Sequence, residues 1–142
     1  MARLEFRDVD PVTRLKILVR RLVEANAAEP NYVRILMHEA MAQTPRLEWL
    51  VDNYVAAGFD AFNQAVKLAI EDGSIRPLPV VDITGIITSA TVLTFSIGAV
   101  INRIYGIEIG SERYVQSLSD SMIDILFQGL QLRHDGTPVS AL

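Results

Sequence analysis

The sequence contains no cysteine, which excludes a disulfide framework, thiolate metal sites and a cysteine nucleophile together. Histidine occurs only at His38 and His134, and on a helix His38 and its neighbour Glu39 point about 100° apart. No second histidine lies three or four residues away, and His134 falls in a polar tail, so neither a metal site nor a cofactor is expected. Glu48 with Asp52, and Asp120 with Asp124, share the helical spacing of four, but no His, Ser or Lys is arranged around them for proton transfer. Both pairs read as solvated helix faces. A nucleophile elbow, a phosphate-binding glycine loop and a dinucleotide fingerprint are all missing. Enzymatic activity is therefore not expected.

Half of the 142 residues are hydrophobic, 21% are charged and the mean hydropathy is +0.26, far from the composition of a disordered chain. The length suits one domain, 1–142, with flexible ends at 1–9 and 134–142. Charge is unevenly placed. Arg3, Arg7, Arg14, Lys16, Arg20 and Arg21 make the first 21 residues net positive, whereas the remainder is acidic. Such an end is either a solvated helix face or a weak pointer to a polyanion. Met1 to Asp8 carry Arg3, Glu5, Arg7 and Asp8 with no apolar core behind them, so no signal peptide is expected and the cytoplasm is the default compartment.

Punctuation divides the chain into five segments of helical periodicity, and no strand pattern competes. The first opens with Asp10 as N-cap and Pro11 at the first helical position, runs to about Ala27 and places Leu15, Leu18, Val19, Leu22 and Ala25 on one face. The second runs from Pro30 to about Gln43 and buries Val33, Leu36, Met37 and Ala40. Thr44 caps a long third helix, Pro45 to about Asp72, with a stripe from Leu47 through Leu50, Val51, Tyr54, Val55, Gly58, Phe59, Phe62 and Val66 to Ala69 and Ile70. Gly73 closes it. Asp82 caps a fourth helix reaching Tyr105, and Ser111 caps a fifth that ends near Arg133.

Ile83 to Asn102 is a stretch of twenty residues without a charge, but six are Thr or Ser, so a membrane span is not the favoured reading. Within it Ile86, Ala90, Leu93, Ile97, Val100 and Ile104 recur at alternating spacings of four and three, the seam of a helix packed along another helix. Small uncharged residues, among them Thr84, Thr88, Thr91 and Gly98, occupy the other sides. A helix with no charged face is normally buried all round. The last helix is also too apolar for one face: Leu118, Met122, Ile125, Leu126 and Gly129 form its centre, widened by Ile123, Phe127 and Leu130. A homodimer whose last two helices form an intermolecular four-helix bundle would cover this surplus.

Aromatic and methionine side chains concentrate on the middle helices. Gly58 thins the third helix between Tyr54 and Phe62, so a cavity between helices is expected, with Met37, Met41, Tyr54, Phe59, Phe62, Thr88, Thr91 and Phe95 as candidate ligand contacts.

Four pieces of the sequence, in this order and spacing, carry a family resemblance. They are Asp10-Pro11, the run Pro30 to Glu39 (PNYVRILMHE), the turn Gly73-Ser74-Ile75-Arg76-Pro77, and the closing Asp124 to Arg133 (DILFQGLQLR). From Asp10 to Arg133 the chain resembles the C-terminal regulatory domain of TetR-family transcriptional regulators. The resemblance implies an all-α fold, dimerisation through the last two helices and a small-molecule effector enclosed by the earlier ones. It also implies that DNA is reached only through an N-terminal helix-turn-helix head, which nothing before Asp10 can supply, so no specific DNA binding is expected of this chain. A stand-alone helical homodimer with a structural or partner-binding role is the alternative.

Overall fold

Local capping chemistry starts the first helix. The Asp10 carboxylate accepts the Thr13 N–H at 2.9 Å and the Thr13 hydroxyl at 2.8 Å, which opens α1 (Pro11–Ala28) and holds the Asp10 carboxyl below its usual pKa range. The computed structural model describes residues 9–132, so the expected flexible ends, apart from Val9, and His134 lie outside the described residues. Helix α2 (Pro30–Ala42) follows after one residue and stops at Gln43, whose φ of 52° is left-handed. Its buried positions are Val33 and, unexpectedly, Glu39, while Ala40 is exposed. Arg46 Nη2 reaches the Glu39 carboxylate at 3.5 Å.

Two of the five expected segments are broken. Pro45 to Asp72 is not one helix but α3 (Pro45–Leu50), a π-helical turn (Val51–Val55) and α4 (Ala56–Glu71). Thr44 stands before α3 with extended backbone, yet its hydroxyl makes no capping bond. The wide turn delays the helical phase, so a stripe counted at 3.6 residues per turn does not carry through it. Helix α4 closes as expected at Gly73, φ +77°: the Gly73 N–H donates to the Ile70 carbonyl at 3.1 Å and the Ser74 N–H to that of Ala69 at 3.0 Å.

The fourth segment begins at Val80, two residues ahead of Asp82, and runs as α5 (Val80–Ser96) before bending by 65° into α6 (Gly98–Tyr105). The bend has a packing cause. A Cβ on Gly98 would lie 2.8 Å from Ile109 Cγ2, so the missing side chain lets the following connector pack against the start of α6. Thr88, Thr91, Thr94 and Ser96 each donate a hydroxyl to the carbonyl four residues back, a pattern that favours bending. Among the described residues no single helix is long and apolar enough to cross a membrane; α5 and α6 reach that length only across the bend.

Helix α7 (Glu112–Leu130) starts where Ser111 Oγ accepts the Tyr114 N–H at 3.3 Å and ends at Leu130, short of Arg133. An antiparallel bridge between Ile75 and Gln131 ties its end to the turn after α4, with the Arg76 N–H on the Leu130 carbonyl at 2.9 Å. Helix α1 is the hub, packing on α2, α4, α5 and α7. Its buried positions are Leu15, Val19, Val23 and Asn26, rotated from the expected stripe because a central helix is covered on several sides; Leu18 and Leu22 are partly buried on its flanks. Phe62, Val66 and Ala69 of α4, Ile83, Ile87 and Phe95 of α5, and Met122, Phe127 and Leu130 of α7 pack into the same core.

Candidate functional site

Helix α5 is turned the opposite way from an ordinary amphipathic helix. Thr84, Thr88 and Thr91 face the core beside Ile83, Ile87 and Phe95, while Ile86 and Leu93 stand 60% and 53% exposed. The threonines enter the interior at low cost where their hydroxyls are satisfied on the helix itself: Thr88 donates to the Thr84 carbonyl at 2.8 Å and Thr91 to that of Ile87 at 3.1 Å. Large aliphatic side chains are left outside. Of the expected interface residues, Ile86, Ala90, Leu93 and Ile97 lie exposed along α5 and its end, and Val100 is exposed beyond the bend, so the seam is not one straight line. On α7, Ile125 is 72% exposed and Gly129 is exposed, whereas Leu118 and Leu126 pack partly on the core. Met122, at 8% exposure, belongs to the core and touches the Thr91 hydroxyl at 3.7 Å.

A cavity of about 400 Å³ opens between α1, α2, the π turn, α4 and α5. Leu22, Ala25 and Asn26 form its α1 wall, with Glu29 at the α1–α2 junction; Tyr32 and Leu36 come from α2, and Thr88 and Val92 from α5. The π turn contributes Tyr54 and Val55, and α4 contributes Gly58, Phe59 and Phe62. Gly58 keeps that wall thin, having no neighbour within 4 Å of where a Cβ would stand. Trp49 meets Tyr54 edge to face, ring centroids 5.4 Å apart, and so steadies the aromatic side of the rim. Burial raises the Tyr32 phenol above its usual pKa, which keeps it a neutral hydroxyl. Among the described residues Glu29 is the only charged one on the wall, and it is exposed.

The cavity brings together four of the eight expected ligand contacts: Tyr54, Phe59, Phe62 and Thr88. Thr91 and Phe95 are buried in the core instead, Met37 packs against the core, and Met41 is 80% exposed on the outside of α2. Sequence reasoning missed the whole wall from α1 and α2, Leu22, Ala25, Asn26, Glu29, Tyr32 and Leu36, together with Val55 and Val92. Asn26 had a signal, since it follows Leu15, Val19 and Val23 at helical spacing and so places an amide on a buried face. Among the described residues, no three His, Asp or Glu side chains converge to hold a metal ion. His38 is exposed.

Two of the early bases, Lys16 and Arg20, engage α7 and its end. Arg20 Nη2 donates to Asp120 Oδ1 at 2.6 Å and holds that carboxyl below its usual range, while Lys16 lies 5.3 Å from the centroid of the Phe127 ring and reaches Gln131 Oε1 at 3.3 Å.

Residues 11–126 match the family described as Tetracyclin repressor-like, C-terminal domain. A comparison with curated proteins finds no match. The matched span runs from the first turn of α1 into the last turns of α7, and so takes in both the cavity and the exposed face of α5. With most of its length inside that match, the chain belongs to the TetR-like C-terminal domains, which in the family bind effectors, dimerise and regulate rather than catalyse.

Proposed function

We propose that this domain senses a small apolar effector in the cavity between α1, α2, α4 and α5, dimerises through α5 and α7, and thereby controls DNA binding by a helix-turn-helix head carried outside these residues. The observation that carries the reading is the cavity itself: about 400 Å³, walled by apolar and aromatic side chains with a few polar groups, the usual make-up of a small-molecule site. Two heads on a twofold dimer must match half-sites about 34 Å apart, so an effector acts by changing their separation. The coupling required is about 1 to 3 kcal/mol, equivalent to roughly 5 to 150-fold in affinity.

A melting screen against small apolar and aromatic compounds tests it. A ligand at 100 times its dissociation constant adds about 2.7 kcal/mol of stability by mass action. A clear rise in Tm with at least one compound class, lost when the cavity is filled by Gly58→Leu, is the expected result. Silence across the library would leave only the structural homodimer.

A further inference from the structure

We propose that the cavity selects an uncharged ligand carrying one carbonyl-type acceptor on an apolar body, and that the side-chain amide of Asn26 is the donor that recognises it. This rests on the reading of the cavity as an effector site. Asn26 is 5% exposed and forms part of the cavity wall, yet its Nδ2 is buried without a hydrogen-bond partner. An amide in that position loses its water and gains nothing in return, unless an acceptor arrives. The terminal amide turns about its Cβ–Cγ bond, a broad and soft torsion, which leaves Nδ2 free to adjust to an acceptor in the cavity.

The rest of the wall narrows the ligand class. Thr88 commits its hydroxyl proton to the Thr84 carbonyl, and Leu22, Leu36, Val55, Phe62 and Val92 offer none. Tyr32 on α2 and Tyr54 on the π turn are the other neutral donors. Among the described residues no lysine, arginine or histidine lines the cavity, so a carboxylate would be buried with no cation opposite and with Glu29 at the edge. An ammonium has no acceptor to offer the Asn26 donor. A ketone, ester or amide oxygen supplies what Nδ2 lacks without importing a charge. At the liquid share of about 30 Å³ per water, the volume corresponds to roughly a dozen waters, and so to a body of about that many non-hydrogen atoms.

Calorimetric titration of the full chain with three probes of matched size tests the assignment: valerophenone, pentylbenzene and phenylpentanoate. Wild type is expected to bind valerophenone about threefold to tenfold tighter than pentylbenzene, the worth of one net hydrogen bond, and to bind phenylpentanoate most weakly. Asn26→Leu is expected to erase the preference for the ketone while still binding pentylbenzene. In case that variant folds poorly, the side-chain NH₂ resonances of Asn26 in ¹⁵N-labelled wild type give a second readout, expected to move with valerophenone and to stay put with pentylbenzene. Equal binding of ketone and hydrocarbon, tightest binding of the carboxylate, a preference that survives in Asn26→Leu, or unmoved Asn26 resonances would each overturn the assignment and leave the apolar cavity as a site. Failure of all three probes to bind would overturn the assignment and the effector reading together.

Discussion

Leu93→Lys is the substitution that separates the exposed apolar face from the core most sharply. Leu93 is 53% exposed on one chain, so covering it in a dimer gains about half of the roughly 1.5 to 3 kcal/mol that full burial of a leucine provides, or about 1 kcal/mol. A twofold interface repeats the residue, doubling the gain to about 2 kcal/mol. Lysine forfeits that and must also lose hydration around its charge, a penalty of several kcal/mol per buried ion, reduced where the long side chain reaches back to water. The total exceeds about 3 kcal/mol, which weakens the dimer by more than about 100-fold. Sedimentation velocity across a concentration series should therefore show the variant as monomer where the wild type is dimer, with unchanged far-UV circular dichroism because Leu93 lies outside the core. Met122→Lys is the contrasting variant: at 8% exposure inside the chain, it should lose the fold itself. A Leu93→Lys protein with the wild-type sedimentation coefficient at every concentration would refute the dimer face.

Asp10→Ala removes the cap of α1 and should cost about 1 kcal/mol in urea melts at neutral pH. The Asp10 carboxyl has its pKa lowered from 3.8 by its bonds to Thr13, so its stabilisation is present above the unfolded value and is lost as pH falls through the lower folded one; the acid loss should be smaller in the variant. Gly98→Ala, which at an unhindered helical position would gain about 0.5 to 1 kcal/mol, should instead destabilise by about 1 kcal/mol because its Cβ meets Ile109 at 2.8 Å. Pairing it with Ile109→Ala should recover part of that loss, as read from a double-mutant cycle. Asn26→Leu should raise the Tm of the ligand-free protein, by about 1 kcal/mol of added stability, because it removes a buried unpartnered donor.

Legibility from the sequence followed the range of the forces involved. The Asp10-Pro11 start, the Gly73 stop and the Ser111 cap are settled by neighbours within a few residues, and each stands where the sequence places it. The bend at Ile97 was hidden because its cause is Ile109, on the far side of α6, and Gly98 alone does not announce which side chain will approach it. The π turn was hidden for a different reason. Its residues, Val51 to Val55, continue the apolar pattern without a proline or a glycine, so the stripe through Tyr54 and Phe62 looked unbroken; in the fold Tyr54 is exposed and Phe62 is buried. The cavity is half legible, since aromatic side chains point to it, but its α1 wall reads as an ordinary apolar helix face.

Three of the places where local rules fail are ones the proposed function uses. A π turn supplies Tyr54 and Val55 to the cavity, an unpartnered amide sits on the buried face of α1, and α5 hides threonines while exposing isoleucine and leucine. Each leaves the isolated chain less stable than a simpler choice would, and departures of this kind collect at functional sites. Two of them lie on helices that reach beyond the cavity. Thr88 and Val92 line the cavity from the same α5 that carries Ile86 and Leu93 outward, and Asn26 lies on the same α1 whose earlier turns are tied to α7 through Arg20 and Asp120. A ligand that displaces α1 or α5 by a fraction of an ångström therefore moves the exposed apolar face of α5 and the start of the domain together, because packed helices shift as rigid rods and do not deform locally.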